Sequence, residues 1–302
     1  MLSEAVESYL TVRRTCGFAI KSEGDLLRTF AAFADARGER YVCAATAIEW
    51  AGLAESVFQR ARRLGAVIRF ARHARAEDER HEVPLPVFGR EKAPRPVPYI
   101  FSEDEIRRLV EEAAQSGYRS LRRRTYSTLF ALLACTGLRV SEAIRLRFDD
   151  ITEDGLVIRC SKFHRSRIVP LHDTARAGLA NYLEIRRPYA PFDDHVFISL
   201  RRKPLLIDDV DSAFQTVAAR IGFPHRAGLP RPTPHSFRHT FAVRALERSP
   251  DGRDRIAKHM LALSTYLGHS TIFSTYWYLD ATPSLMRDIA DRCETLVTGV
   301  QS

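Results

Sequence analysis

The sequence predicts a mainly α-helical protein with a small β-sheet or hairpin, divided into two domains. Three observations carry this. Apolar residues recur at helical spacing through residues 1–80 and again from residue 102 onward. Between these stretches, residues 84–98 hold Pro84, Pro86, Pro94, Pro96 and Pro98 among charged residues. Proline blocks helix continuation and stiffens an extended chain, so a linker is expected there. Two short apolar runs, Leu156-Val157-Ile158 and Ile168-Val169, bracket a polar turn, which is the pattern of a β-hairpin. The expected boundaries are 1–80 for a helical module, 81–98 for the linker and 99–302 for a larger second domain.

Four helices are expected in the first module. Leu2, Val6, Tyr9 and Leu10 form one apolar side, and Gly17 ends the segment. Ser22-x-x-Asp25 and Thr46-x-x-Glu49 have the capping-box pattern and are expected to start the second and third helices. The second carries Leu26, Leu27, Phe30 and Phe33 on one side. The fourth, from about Ser56, is expected to bury Phe58, Leu64, Val67, Ile68 and Phe70 among Arg60, Arg62, Arg63, Arg69, Arg72 and Arg75. Those arginines are either a solvated face or contacts to a polyanion's backbone.

In the second domain Ser102-x-x-Glu105 caps a helix whose apolar side is Ile106, Leu109 and Val110. An apolar helix follows over residues 126–134, broken by Gly137, and helical spacing resumes from Val140 to Leu146. Arg139 therefore sits at a helix start, where backbone N–H groups add to its attraction for phosphate. Pairing with Glu142 is the competing reading. Further helices are expected at about 173–186 and 208–221, separated by a strand-like stretch at 195–199. Thr282-Pro283 starts a last helix running through Ile289 to Leu296, with threonine as the cap and proline in the first turn.

Lys plus Arg outnumber Asp plus Glu by 46 to 37, a formal charge of +9, which favours a polyanionic partner. The five cysteines, Cys16, Cys43, Cys135, Cys160 and Cys293, are scattered without CxxC spacing. Disulfide scaffolds and zinc ribbons are not expected, and a reducing compartment fits. No apolar run is long enough to span a bilayer, and the first residues lack a signal peptide's basic start and apolar core. A cytoplasmic protein is expected.

The chemistry-bearing residues gather in two late segments. Pro234-His235-Ser236-Phe237-Arg238-His239-Thr240-Phe241 precedes Leu267-Gly268-His269-Ser270-Thr271, which leads into Tyr276-Trp277-Tyr278. Guanidinium and imidazole suit an anionic oxygen whose charge grows in a transition state, and a phenol is a possible covalent nucleophile. Phosphoryl transfer through a tyrosine is the chemistry that combines them. Upstream, Thr136-Gly137-Leu138-Arg139 adds a second arginine, and Ser161-Lys162 opens the turn of the hairpin.

With these residues in order, the chain resembles the tyrosine recombinases, or phage-integrase family, from about residue 100 to 292. That family's pattern of arginine, lysine, histidine-x-x-arginine, histidine or tryptophan, then tyrosine falls on Arg139, Lys162, His235, Arg238, His269 and Tyr278. The resemblance implies a helical core-binding (DNA-clamp) domain followed by an α+β catalytic domain. It implies a site-specific recombinase that cuts and rejoins double-stranded DNA through a 3′-phosphotyrosyl link. Arg139 and Arg238 would hold the scissile phosphate, with His269 as a further donor. Tyr278 would attack, with His235 available to take its proton, and Lys162 would protonate the leaving 5′-oxygen. No cofactor, metal or ATP is expected. The expected assembly is a tetramer on synaptic DNA, with the last helix docking on a neighbouring protomer.

The sequence departs from the family in two places. Ser161 and Phe163 flank Lys162 where glycines are usual, and Arg165 and Arg167 lie close enough to be confused with it. Lysine is the better proton donor, because arginine stays protonated. The charged segment from Leu246 to Leu261 is longer than usual and, with the Tyr-Trp-Tyr ending, resembles recombinases of mobile elements that work with sister recombinases. His235 and His239 have a spacing that can bind zinc, but Arg238 lies between them, and His239 is expected to be a buried partner instead. A type IB topoisomerase and a non-catalytic DNA-binding protein are the alternatives.

Overall fold

In a computed structural model of the chain, residues 1–18, 20–89, 97–115, 120–159, 166–223, 228–248 and 253–268 are described, with Thr275 and Tyr278. Lys162, His164, His269, Tyr276, Trp277 and the expected last helix lie outside these residues. The chain divides into two compact units, Met1–Arg95 and Pro96–Ser302.

The first unit packs four helices, α1 (Leu2–Thr15), α2 (Lys21–Asp35), α3 (Ala44–Gly52) and α4 (Val57–Glu77). Its core is Leu2, Val6, Tyr9 and Leu10 from α1, Leu27 and Phe30 from α2, Trp50 from α3, and Leu64, Val67 and Phe70 from α4. Gly17, with a φ of +83°, turns the chain out of α1 in the left-handed region that glycine tolerates. Ser56 caps α4 through Gln59 N–H.

Two of the expected caps are not used. α2 begins at Lys21 and α3 at Ala44, each upstream of its expected cap. Thr46 lies inside α3 and donates its hydroxyl to Glu39 instead. Phe58 is also misjudged by the apolar pattern, being half exposed in the first turn of α4. Beyond α4 the chain stays on this unit, with His81 buried beside Phe70, and Val83 and Phe88 against the core.

The second unit is built around α5 (Glu103–Gln115), α6 (Ser120–Thr136), α8 (Asp173–Arg186), α9 (Ile207–Ile221), α10 (His235–Glu247) and α11 (Arg253–Leu267). A single turn, α7 (Val140–Ala143), follows α6. The small sheet is three-stranded and antiparallel, with β1 (Ile151–Thr152), β2 (Gly155–Ile158) and β3 (Arg167–Val169) in sequence order. The expected hairpin is β2–β3, in the register Leu156 to Val169 and Ile158 to Arg167. The strand-like stretch at 195–199 makes only isolated bridges, His195 to Arg147 and Ile198 to Pro204.

The core of this unit is aromatic. Phe237 of α10 packs 5.0 Å from Phe101 and 5.8 Å from Phe130 of α6, with Phe214 of α9 6.0 Å away. Burying such a ring is worth about 3–5 kcal/mol by truncation, so α10 is pinned next to Arg238. The Ser102–Glu105 box closes in both directions, and the carboxylate of Glu105 also accepts the Tyr99 hydroxyl.

The arginines of α4 divide into two groups. Arg60 donates to Ala54 O, Arg63 lies over the Trp50 ring, and Arg69 pairs with Glu23. Arg62, Arg72 and Arg75 are exposed, and no side-chain hydrogen bond or ion pair engages them among the described residues. Replacing Arg60, Arg63 and Arg69 together by alanine should therefore lower the thermal midpoint. Replacing Arg62, Arg72 and Arg75 should leave it unchanged and flatten the salt dependence of DNA binding, by roughly one unit of log–log slope per lost phosphate contact. An unchanged slope would remove this helix from the DNA-contacting surface.

Candidate active site

The site is assembled where the ends of α6, α10 and α11 meet. α6 terminates at Thr136, whose hydroxyl bonds back to Leu132 O, and Gly137 then turns the chain at a φ of +62°. A Cβ on Gly137 would lie 2.6 Å from the Phe241 ring, so the close approach of α10 as well as the backbone angle requires glycine. Phe241 in turn stacks on Tyr266 of α11 at 5.4 Å. α10 is tied on its other side by Thr240, whose hydroxyl accepts the Phe101 N–H.

Arg238 points from α10 into this junction and is 2% exposed. Its guanidinium donates through Nη1 to Gly137 O at 2.8 Å and through Nη2 to Leu267 O at 2.6 Å. Burial, with the Arg139 charge beside it, pushes its pKa down to about 10, which still leaves it protonated at neutral pH. Arg139 enters from the start of α7, donating through Nη1 to Glu142 at 2.7 Å and through Nη2 to Gly268 O at 3.2 Å. Both arginines thus grip the backbone immediately before His269.

Glu142 holds more than its helical neighbour. One oxygen also accepts the Arg139 backbone N–H, and both oxygens accept from Arg167 of β3, at 2.8 and 3.1 Å. Burial alone would raise this carboxyl's pKa. The Arg167 hydrogen bonds, the Arg139 N–H and the two guanidinium charges hold it at about 2 instead. Arg167 also donates to Tyr266 O at 2.7 Å, and a Cβ on Gly268 would lie 2.8 Å from its Nη1. Gly268 adopts a φ of +64° and leaves the space that this guanidinium fills.

By sequence alone Glu142 is a rival partner for Arg139, and Arg167 a cation close enough to be confused with Lys162. Their joint role was not visible. The signal in the sequence is that Arg167 directly precedes the Ile168-Val169 run of the hairpin whose turn carries Lys162.

His235 and His239 lie one turn apart on α10, with ring centroids 4.4 Å apart, edge to face. His235 is solvent-exposed, yet the protein around it and the Arg238 and Arg139 charges still lower its pKa. His239 lies deeper. Burial, then His235 and Arg238, push its pKa down to about 3, so it is neutral at neutral pH. Its Nδ1 is 3.2 Å from the Tyr278 hydroxyl. Tyr278 is 3% exposed and packs with Val243 and Leu246 of α10 and Leu263 and Leu267 of α11.

Of the six expected site residues, Arg139, His235, Arg238 and Tyr278 come together, while Lys162 and His269 are outside the described residues. Beside Arg139 an open cleft of 370 Å³ is lined by Arg145, Arg147 and Arg159 together with Glu142, Asp150 and His195, and Arg147 and Arg159 are paired there with Asp194 and Asp150. Among the described residues one group has metal-ligating atoms close together, Asp193, Asp194 and His195. Asp194 is paired there with Arg147, and Asp193 with the backbone and ring of His195.

A family model described as the phage integrase family matches residues 100–284. The chain belongs to that family, the tyrosine recombinases. The recombinase is 33% identical over 302 residues to the putative integrase/recombinase y4rB of Sinorhizobium fredii, a match covering 96% of each protein. In fold it is similar to the Tn1549 transposon integrase in complex with transposon right end DNA, with a TM-score of 0.65 at 17% identity, covering 96% of this chain and 99% of that one. A lambda integrase tetramer bound to a Holliday junction has a similar fold, with a TM-score of 0.63 at 18% identity over 89% of this recombinase and 77% of that chain. Among the described residues, no helix is long and apolar enough to cross a membrane.

The Glu142 clamp has a pH signature. Its folded pKa is depressed, so its contribution is fully present above the unfolded value near 4.5 and is lost as pH falls through about 2. Replacing Glu142 by glutamine should destabilise the recombinase at neutral pH by about 3–5 kcal/mol, because two guanidinium groups lose their partner. The variant's urea midpoint should also fall less steeply than that of the unsubstituted protein between about pH 4.5 and pH 2. Parallel profiles would mean that the carboxylate is not held by these arginines.

Proposed function

We propose that this recombinase is a site-specific DNA strand transferase that cleaves and rejoins double-stranded DNA through a 3′-phosphotyrosine at Tyr278. One observation carries the reading. Two guanidinium groups, Arg139 and Arg238, are fixed on the carbonyls of Gly268 and Leu267, and a buried phenol lies against His239, the residue after Arg238 on α10. Cleavage of a phosphodiester needs charge stabilisation on the non-bridging oxygens, a nucleophile and a proton for the departing oxygen. Arg139 and Arg238 supply the first, with His269 as a further donor, and Tyr278 is the nucleophile. An imidazole of α10 takes the phenol's proton. Lys162 protonates the 5′-oxygen.

The phosphotyrosyl link keeps the phosphodiester's energy, so a second 5′-hydroxyl reseals the strand without ATP, and no step calls for a divalent metal. Exchange between two duplexes requires four cuts and hence four protomers. The Tn1549 integrase of similar fold is bound to transposon end DNA, and the lambda integrase of similar fold is a tetramer on a Holliday junction. Both support DNA as the partner here, and the second supports a tetramer. The arginines of the cleft beside Arg139, Arg145 among them, suit the phosphates that flank the scissile one. Inverted repeats flanking the gene are the first candidates for its sites.

Tyr278→Phe should abolish covalent trapping on a nicked substrate while sparing binding, whereas Tyr276→Phe should still trap. The reverse result would move the nucleophile to Tyr276. For the departing oxygen, replacing the bridging 5′-oxygen by sulfur gives a leaving group that needs no proton. Lys162→Ala should cleave ordinary DNA more slowly by roughly 10²–10⁴-fold and the sulfur-substituted DNA at nearly the unsubstituted rate. Arg139→Ala should be slow on both. If Lys162→Ala stays slow on the sulfur substrate, the lysine holds phosphate or the hairpin and is not the acid.

A further inference from the structure

We propose that a groove at the opposite end of α6 from the active site holds a second stretch of the duplex whose scissile phosphate lies on Arg139 and Arg238. It rests on the reading of this recombinase as a DNA strand transferase, and it names three cations that take the flanking DNA. Members of two basic triplets meet in the groove, Arg122-Arg123-Arg124 at the start of α6 and Arg201-Arg202-Lys203 in the turn before α9. The groove has a volume of 660 Å³ and is lined by Arg122, Tyr126, Leu200, Arg201, Lys203 and Leu206, among others.

The second triplet is raised on a tight turn. Ser199 N–H donates to Lys203 O at 2.8 Å and Arg202 N–H to Ser199 O at 2.9 Å, with Ile198 bridged to Pro204. Arg202 has a φ of +59°, the left-handed region that a long side chain seldom enters. Backbone strain of this kind collects at ligand clamps and binding loops. Its result here is that Arg201, Arg202 and Lys203 are all exposed.

Charge and apolar surface together select the occupant. Arg122, Arg201 and Lys203 make no side-chain hydrogen bond or ion pair among the described residues; Arg122 lies only beside the Tyr126 ring, 5.7 Å from its centroid. Asp209 is the one acid among the lining residues, and its carboxylate accepts the Leu206 N–H at 3.0 Å. Leu200 and Leu206 stand beside these cations, 40% and 65% exposed. Cations without partners next to exposed apolar side chains fit a polyanion that also offers sugars and thymine methyl groups, which is duplex DNA.

Helix geometry sets the distance. From Arg122 to Thr136, α6 extends about 21 Å at ~1.5 Å per residue, and Arg139 follows the end of that helix. Each strand of a duplex places a phosphate every ~3.4 Å of its axis, so the groove meets phosphates within about six base pairs of the scissile one.

The test assigns phosphates to cations one at a time. Full-length unsubstituted protein is used to recover a bound duplex from the DNA flanking its gene. Single phosphates of that duplex are then replaced by uncharged methylphosphonate. Dissociation constants are measured across a salt series for the unsubstituted protein, Arg139→Ala, Arg122→Ala, Arg201→Ala and Lys203→Ala. Neutralising a phosphate that a cation holds should weaken binding by the unsubstituted protein, and should weaken it no further once that cation is gone.

Each groove variant should keep its thermal midpoint and lower the log–log salt slope by about one. Each should be insensitive to one neutralised phosphate, within about six base pairs of the phosphate assigned to Arg139 and different from it. Unchanged affinity and slope in all three groove variants would overturn the proposal and leave the groove to an acidic protein partner. Insensitivity at the Arg139 phosphate itself would overturn it too. A duplex held through both sets of cations but never joined to Tyr278 would overturn the strand-transfer reading alone, and failure to retain any duplex would overturn both.

Discussion

The pairing of Glu142 with both Arg139 and Arg167 is the constraint on which the catalytic unit depends. A carboxylate that is 9% exposed carries a desolvation penalty, which only close opposite charge and full hydrogen bonding offset. Here two guanidinium groups and one backbone N–H supply both. The clamp joins three pieces of chain that share no regular pairing, the turn after α6, strand β3 and the end of α11. Arg167 carries the constraint onward through Tyr266 O and the space left by Gly268. The backbone leading into His269 is therefore fixed by a carboxylate more than a hundred residues earlier in the chain.

Charge shows why this arrangement suits an anion. Arg139, Arg167 and Arg238 bring three positive charges against the single negative charge of Glu142. The surplus is felt by the groups beside it: Arg238 and both histidines of α10 have lowered pKa values, with burial and neighbouring cations as the causes. A phosphodiester relieves that surplus, and a transition state with more charge on its non-bridging oxygens relieves it further. In the proposed reaction this field would favour the transition state over the ground state.

What the sequence revealed follows the range of the interactions involved. Helices α1, α4, α5 and α8 were visible because their apolar periodicity or caps are local, and the β2–β3 hairpin because two β-branched runs flank a short polar turn. The capping patterns at Ser22 and Thr46 misled because packing started α2 and α3 earlier, and a hydroxyl inside a helix found another acceptor. Phe58 fits the apolar side of α4 by spacing, yet the first turn projects past the core. At the site, the motif residues were legible from residue type and order. Glu142 with Arg167 was not, since the two are 25 positions apart and meet only because β3 packs beside α7. Nor could spacing tell which of two histidines a turn apart would face the phenol.

The two arginines proposed to hold phosphate are oriented by the protein itself, and their hydrogen bonds among the described residues show how. A guanidinium has five N–H donors in a rigid plane. Arg238 commits two of them, to Gly137 O and Leu267 O, and Arg139 commits two, to Glu142 and Gly268 O. Two anchors fix a planar group in orientation and leave three donors on each arginine beyond those bonds. Phosphate therefore meets groups whose rotamers are already chosen, so little ordering entropy is lost on binding. A lysine at either position would offer three rotatable donors around a single nitrogen and could not span two carbonyls in a fixed plane while still presenting a forked edge to phosphate. The need for arginine at positions 139 and 238 thus comes as much from the backbone they grip as from the charge they carry.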